Sequence, residues 1–203
     1  MNLIEATREG RLAGEVVRVV SDRPEAPVLL KAHALGVPTT ILSSATPGIR
    51  LHPDAELKLL EVIREDRVDV VALCGFLRLL SGALLDQVSA PVLNVHPSLL
   101  PAFRGLHAQR QAIEAGVRVT GVTIHFVDSG MDTGPILIQA ALEVLASDTE
   151  ESLSERLLPL EHRLYVDALR LIQRGAVHRE RGKIRIDPKA SPSPMPAWDG
   201  RRK

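Results

Sequence analysis

The feature that most constrains the fold is Val68–Cys74, an almost uninterrupted apolar run of strand length. A strand with apolar residues on both faces is typical of a parallel sheet that is covered on both sides. Segments with helical spacing flank this run, one starting at Pro53 and one spanning Ser81–Val88. Strands that alternate with helices predict βαβ units, and therefore an open α/β sheet.

The rest of the chain extends this alternation. The predicted helices are Asn2–Arg11, Pro24–Leu35, His107–Ala115 and Thr149–Arg174, the last interrupted at Pro159, and Asn2 is the predicted N-cap of the first. The further predicted strands are Glu15–Ser21, Thr39–Leu42, Val92–His96, an antiparallel pair (Thr120–Val127 and Ile136–Val144) and a hairpin around Arg181-Gly182. We expect one α/β domain over 1–186, with a doubly wound and mostly parallel sheet. A disordered tail, rich in proline and serine, is expected over 187–203.

Composition excludes several classes of protein. Lys and Arg together number 25, as do Asp and Glu. The resulting net charge of zero argues against a broad charged surface that binds nucleic acid or membrane. No secretory signal is visible, and the longest apolar run, Val70–Leu77, is too short for a bilayer. The histidines show no His-x-x-x-His pair and the single cysteine has no partner, so no metal site is predicted. We expect a cytoplasmic protein that binds neither nucleic acid nor membrane.

Two polar side chains end the predicted strand Val92–His96. Alternate residues of a strand face the same side, so Asn94 and His96 point together while Leu93 and Val95 point to a core. Pro97 ends the strand, because proline cannot donate to the ladder. Open α/β sheets bind their ligands at the carboxyl ends of strands. A functional pair and a polar strand end that merely meets water remain equal alternatives at this point.

Another polar cluster spans Asp128–Pro135, where two glycines, two aspartates and a proline mark a tight turn. Asp128 is expected to bond its own backbone. A carboxylate at Asp132 held near His96 would raise the pKa of the imidazole and fix its tautomer, although spacing leaves open whether they meet. The residues alone thus predict an α/β domain with an Asn/His pair and a nearby carboxylate.

Several spaced motifs together are similar to those of one family. They are Asn94–Pro101, Gly105–His107, Gly121–Val127, Asp132–Ile136 and Gly75–Leu80. In this combination the chain resembles the phosphoribosylglycinamide formyltransferase family, over about Asn2 to Gly175.

The resemblance implies a Rossmann-like formyltransferase fold and one reaction. A formyl group passes from 10-formyltetrahydrofolate, the co-substrate, to the amine of glycinamide ribonucleotide in purine biosynthesis. It implies that Asn94 and a protonated His96 stabilise the developing oxyanion, while Asp132 keeps His96 charged and relays the proton of the amine. No metal is needed, and the protein is a monomer or a homodimer. Hydrolysis of formyltetrahydrofolate is the alternative reaction.

The resemblance also implies the binding residues. Leu77, Arg78, Leu79 and Leu80 line the pterin pocket, largely through backbone groups, and Asn94 contacts the folate. Asn2 and Glu161 belong to the nucleotide side, with Glu161 near the ribose. Thr123 and His125 support the catalytic strand.

The sequence departs from the family pattern at its beginning. Family members start with an apolar strand and a Gly- and Ser-rich loop that holds the substrate phosphate, and only Asn2 matches the last residue of that loop. Our preferred hypothesis is a true start upstream of Met1. The alternative is a non-catalytic relative that binds folate weakly. For the chain as written, we expect weak affinity for glycinamide ribonucleotide.

Overall fold

The computed structural model describes residues 1–42, 48–180 and 183–190. Within these ranges the helices are α1 (Asn2–Arg8), α2 (Pro27–Ala34), α3 (Pro53–Glu65), α4 (Gly82–Leu85), α5 (Ala108–Glu114) and α6 (Glu150–Gln173). The strands are β1 (Val19–Ser21), β2 (Thr39–Ile41), β3 (Val71–Leu73), β4 (Val92–His96), β5 (Val119–Phe126), β6 (Ile136–Glu143), β7 (Val177–Glu180) and β8 (Lys183–Ile186).

Among the described residues the strands form three separate sheets. The largest is a four-stranded sheet in the order β3-β4-β5-β6, in which β3 runs parallel to β4 and the two later pairs are antiparallel. A parallel pair joins β1 to β2, and β7 and β8 form the predicted hairpin. Among the described residues no strand joins β1 to β3, so each leaves one edge without a ladder partner.

Helices cover both faces of the sheet. Leu93 packs in one core with Ala6 of α1 and most of the buried residues of α6, whereas Val92 packs with α3 and α4 in another. Adjacent residues of β4 therefore face opposite cores, as expected for a strand between two helical layers. The predicted doubly wound α/β class is confirmed.

Several element ends differ from the predictions because local capping decides them. The first helix stops at Arg8 instead of Arg11, and its N-cap is Met1, since the side chain of Asn2 bonds α6 instead. Ser81 lies just outside α4 as its N-cap and accepts from the backbone N–H of Leu84 at 3.1 Å. The strand predicted from Glu15 begins only at Val19.

The predicted break of the last helix at Pro159 is wrong, because α6 is one helix of 24 residues. A helical proline removes the hydrogen bond to the carbonyl four residues earlier, which is Glu155 here. Both Pro159 and Glu155 are exposed, so water can satisfy this carbonyl and the helix continues.

Polar contacts at its far end tie α6 to the loop before β1. Arg170 Nε donates to the carbonyl of Arg11 at 2.7 Å, and Gln173 Nε2 donates to that of Ala13 at 2.6 Å. One long helix thus packs on the four-stranded sheet and also contacts the loop before β1.

Two ion pairs connect the β1–β2 pair to the segments before and after β3. Arg18, just before β1, binds the carboxylate of Asp66 through two nitrogens at 2.5 and 2.7 Å. Arg78, beyond β3, donates to Asp22 at 2.9 Å. One ion pair lies at each end of β1, where the two ladders are not hydrogen-bonded to each other.

Two further predictions concern membrane-spanning segments and the C-terminal tail. No helix in the described ranges is long and apolar enough to cross a membrane. Residues 187–190 form a turn in which the backbone N–H of Asp187 donates to Ala176 at 3.0 Å. The rest of the predicted tail, 191–203, lies outside the described residues, as do the two hairpin residues Arg181 and Gly182.

Candidate active site

Four polar side chains meet on one face of the larger sheet. The antiparallel register places Asn94 opposite His125 and His96 opposite Thr123. Directly opposed residues of neighbouring strands share a face, so all four project to the same side. Leu93, Val95 and Ile124 pack in the core on the other face, as the alternation predicts for the two β4 residues.

Both ring nitrogens of His96 have partners. Its Nε2 lies 2.8 Å from the carbonyl of Phe103, and its Nδ1 lies 3.3 Å from Oδ2 of Asp132. The side chains of His96 and Asp132 are only 6% and 13% exposed, so the contact is largely shielded from water. The two residues that spacing alone could not connect therefore lie side by side.

The turn before β6 presents Asp132 from a strained backbone. Its φ of 52° is uncommon for a residue with a side chain. Oδ2 also accepts from the backbone N–H of Gly105 at 2.8 Å, while Oδ1 lies 3.6 Å from Nε2 of His125. Asp128 instead accepts from the Gly130 N–H at 3.1 Å, which matches the predicted structural role of that residue.

Burial and charge act in opposite directions on this pair. Burial lowers the pKa of His96 below its ordinary value, and this outweighs the Phe103 carbonyl and Asp132, which both favour the charged ring. Burial would raise the pKa of Asp132, but its contacts with His125 and Gly105, together with His96, lower it overall. Asp132 is thus ionised, and His96 gives up its second proton more readily than a free histidine. The expectation that Asp132 keeps His96 charged is opposed by the burial of the ring.

A second network fixes the loop that follows β4. Thr123 Oγ1 donates to the carbonyl of Ser98 at 2.7 Å and accepts from the N–H of Leu100 at 3.1 Å. Gln139 Nε2 bonds both Thr123 Oγ1 and the Leu100 carbonyl at 2.9 Å. The loop that supplies the Phe103 carbonyl is therefore anchored to β5 and β6. The resemblance implied that Thr123 supports the strand β4, and its side-chain hydrogen bonds reach the loop after that strand.

The predicted folate segment, Leu77–Leu80, follows β3 at the same sheet edge. Leu77 is 65% exposed, whereas Leu80 is 3% exposed and packs in the core. The backbone groups of Leu79 already bond Ile49 and Leu51, and the side chain of Arg78 bonds Asp22. These contacts hold the segment in place and leave Leu77 as its most accessible side chain.

The two residues predicted for the nucleotide side lie close to each other. Asn2 Nδ2 donates to the carbonyl of His162, the neighbour of Glu161, at 2.7 Å. Glu161 is one helical turn from Tyr165, whose hydroxyl lies 3.1 Å from the carbonyl of Leu73 at the end of β3. Burial raises the pKa of Glu161, and its carboxylate has no hydrogen bond or ion pair to any residue that the structure describes.

Some members of the site carry no signal in the sequence. Phe103 contributes a backbone carbonyl and Gly105 a backbone N–H, which no residue-type pattern reveals. Gln139 could have been found from the alternation of β6 only if its register with Thr123 were known. Across 1–42, 48–180 and 183–190, no group of three or more His, Cys, Asp or Glu side chains is placed to hold a metal ion.

The sequence and fold match known formyl transferases. The solved glycinamide ribonucleotide transformylase 1 from Symbiobacterium toebii is 44% identical, with a TM-score of 0.85 over 91% of this chain and 86% of that chain. Phosphoribosylglycinamide formyltransferase of Bacillus subtilis is 36% identical over 83% of this chain and 85% of its own length.

A larger relative matches over only part of its length. The trifunctional purine biosynthetic protein adenosine-3 of Gallus gallus is 42% identical over 90% of this chain, which corresponds to 18% of that protein. The sequence model of the family described as "Formyl transferase" matches residues 1–169. The chain therefore belongs to the formyl transferase family.

Proposed function

We propose that the protein transfers a formyl group from 10-formyltetrahydrofolate to the amine of glycinamide ribonucleotide, in purine biosynthesis. The observation that carries the proposal is the buried cluster of Asn94, His96 and Asp132 at the carboxyl end of β4. Relatives named for this activity at 36–44% identity support it.

The first requirement is stabilisation of an oxyanion. When the amine attacks the formyl carbon, negative charge develops on the formyl oxygen, and preorganised donors lower the barrier. Asn94 Nδ2 carries two N–H groups, one of which is directed at His125. His96 supplies a second donor at Nε2 if the formyl oxygen takes the place of the Phe103 carbonyl.

The second requirement is an acceptor for the proton of the attacking amine. With Nε2 protonated toward Phe103, Nδ1 of a neutral His96 and Oδ2 of the ionised Asp132 are two acceptors 3.3 Å apart, and a proton gained between them relieves this opposition. Together these two groups accept one proton, directly or through water, and return it to the leaving nitrogen of the folate. A lowered pKa of His96 suits this role because the proton is released again easily.

The family resemblance and the positions in the fold support the binding residues. We assign Leu77, Arg78, Leu79 and Leu80, with Asn94, to the folate, because this segment follows β3, which pairs with β4. We assign Asn2 and Glu161 to the nucleotide, where ribose hydroxyls can donate to the half-buried carboxylate of Glu161.

The test measures consumption of 10-formyltetrahydrofolate with and without glycinamide ribonucleotide. We expect consumption only when the nucleotide is present; equal consumption without it would show hydrolysis instead. His96→Ala and Asp132→Asn should each lower kcat by about 10²–10³-fold, the usual size of an acid–base or oxyanion contribution.

A matched control is Asp54→Asn, a change of the same type at an exposed carboxylate on α3. It should leave turnover unchanged. Wild-type rates in Asp132→Asn would contradict the mechanism.

A further inference from the structure

We propose that His125 is a positioning residue that holds the amide of Asn94 in a single orientation. Its role in the reaction follows from the proposed function, but the orientation itself is a property of the protein without substrate. His125 is 2% exposed and lies directly opposite Asn94 in the ladder between β4 and β5. Its ring contacts are specific enough to fix its own tautomer.

The tautomer follows from Nδ1. This nitrogen lies 2.9 Å from the carbonyl of Phe126, and a carbonyl can only accept, so Nδ1 carries a hydrogen. In the neutral ring the other nitrogen, Nε2, is then an acceptor with a lone pair.

The orientation of Asn94 follows from Nε2. Nδ2 of Asn94 lies 3.2 Å from this nitrogen and donates to it. The opposite orientation would place Oδ1 against the lone pair, so that two acceptors would face each other in a buried site. His125 therefore selects the orientation in which the second N–H of Nδ2 remains for another acceptor.

The surrounding backbone keeps the Phe126 carbonyl in place. The N–H of Phe126 donates to the carbonyl of Pro135 at 2.9 Å, closing the turn that carries Asp132. A side chain at Gly134 would overlap the Phe126 carbonyl, so only glycine permits this approach. The pairing of β5 with β6 also shifts between Ile124 and His125, and such irregularities often re-aim a side chain at active sites.

One neighbour favours the opposite tautomer. Oδ1 of Asp132 lies 3.6 Å from Nε2 of His125, and a hydrogen on Nε2 would satisfy it. Asp132 is shared, however, since its Oδ2 faces His96 and accepts from Gly105 at 2.8 Å. The contact to Asn94 is shorter and the bond to Phe126 requires a hydrogen on Nδ1, so the neutral ring keeps its lone pair at Nε2.

The direct test is the tautomer of His125 in the protein without ligand. Two-dimensional NMR that correlates the ring protons with ¹⁵N-labelled histidine distinguishes the two nitrogens, and His125→Gln assigns the signals by their loss. We expect a hydrogen on Nδ1 of His125 and none on Nε2. A hydrogen on Nε2 would overturn the proposal, whether or not the protein transfers formyl groups.

The kinetic test is a double-mutant cycle with Asn94. His125→Phe keeps a buried ring without nitrogens and should lower kcat by about tenfold, with KM for both substrates within about twofold. His125→Gln restores an acceptor near Nε2 and should recover most of this loss. In an Asn94→Ala background, His125→Phe should cause almost no further loss, because the two residues act as one unit.

Losses that multiply in the double variant would show that His125 acts independently of Asn94, and would overturn the proposal. Ile124→Val is the matched control, since Ile124 is a buried neighbour on the opposite face of β5. If His125→Phe does not fold, His125→Gln and the NMR measurement decide. If the wild-type protein has the expected tautomer but no transferase activity, the proposed function fails while the orientation of Asn94 stands.

Discussion

The larger sheet and the β1–β2 pair are held in different ways. Seven of the eight residues of β5 are buried, and fully buried leucines of α6 pack in the same core as Val122 and Ile124. Of the six residues in β1 and β2, only Ser21 is buried. Apolar burial thus stabilises the half with the candidate catalytic residues, while ion pairs and a small core connect the other half to it.

This difference affects how firmly the candidate catalytic residues are held. His96 and His125 are buried and hydrogen-bonded, and His125 contacts the partly buried Asn94, which suits a preorganised oxyanion site. The β1–β2 side contributes no member of that cluster, although Asp22 beside β1 binds Arg78 of the predicted folate segment. The two halves should therefore respond differently to the same type of substitution.

The largest expected effect is the loss of a leucine from the main core. Leu153→Ala removes a fully buried side chain of α6 and should lower the free energy of unfolding by about 4–5 kcal/mol, near the top of the usual range. Leu29→Ala, on α2, makes the same change at a residue 8% exposed and should cost about 2–3 kcal/mol. Urea unfolding checks both values, and equal losses would contradict the contrast between the halves.

The next effect concerns the ion pair beside β1. Arg18→Ala leaves Asp66 without its two charged hydrogen bonds and should lower the free energy of unfolding by about 1–2 kcal/mol, less in high salt. Arg11→Ala breaks an exposed pair with Glu9 and is the control, for which we expect almost no change. A loss at Arg18 that is independent of salt would argue against a charge effect.

Mild acid should first lower the stability that depends on His96, in the larger sheet. Because the pKa of His96 is lowered from 6.5, the folded state disfavours the charged ring, and stability falls as pH decreases below 6.5. Asp132 and Asp66, lowered from 3.8, lose their contributions only as pH falls below that value. The slope from His96 is at most about 1.4 kcal/mol per pH unit.

His96→Gln isolates this contribution. Glu161 acts in the opposite direction, because its pKa is raised from 4.5, so the useful quantity is the difference between wild type and variant. Unfolding measured from pH 7 to pH 5 should show a difference that decreases with acid. A constant difference would mean that His96 does not titrate in this range.

The smallest effect is expected at Thr120 on β5. Its hydroxyl is the buried side-chain atom that lacks a partner among the described residues. Thr120→Val keeps the shape and removes the unsatisfied group, so it should raise the free energy of unfolding by up to about 1 kcal/mol. Thermal unfolding of both variants checks this. Thr123→Val is the contrast, because the Thr123 hydroxyl has hydrogen-bond partners and its loss should destabilise the protein.

The sequence predicts the elements of the sheet better than their ends. Alternation along β4 correctly places Asn94 and His96 on one face, because a period of two depends only on strand geometry. The end of α1, the late start of β1 and the continuity of α6 through Pro159 depend on capping, on tertiary contacts and on exposure to water. Such properties are invisible to a local pattern.

The candidate site was likewise only partly predictable from the sequence. Residue types and the family resemblance point to Asn94, His96 and Asp132, and the structure brings the three together. The predicted charge on His96 depended on neighbours alone, whereas burial of the ring decides its pKa. The carbonyls of Phe103 and Phe126 set the ring tautomers through backbone geometry, which no side-chain pattern encodes.

The continuous helix α6 also has a mechanical consequence. At about 1.5 Å per residue, its 24 residues form a rod of about 36 Å. Its first residue, Glu150, binds His107 and Arg110, which follow the loop after β4. Glu161 lies in its middle. Arg170, near its end, donates to the carbonyl of Arg11 in the loop before β1. A rigid rod transmits a twist along its length, so strain at the β1 end would reach both Glu161 and the contacts of Glu150 at once.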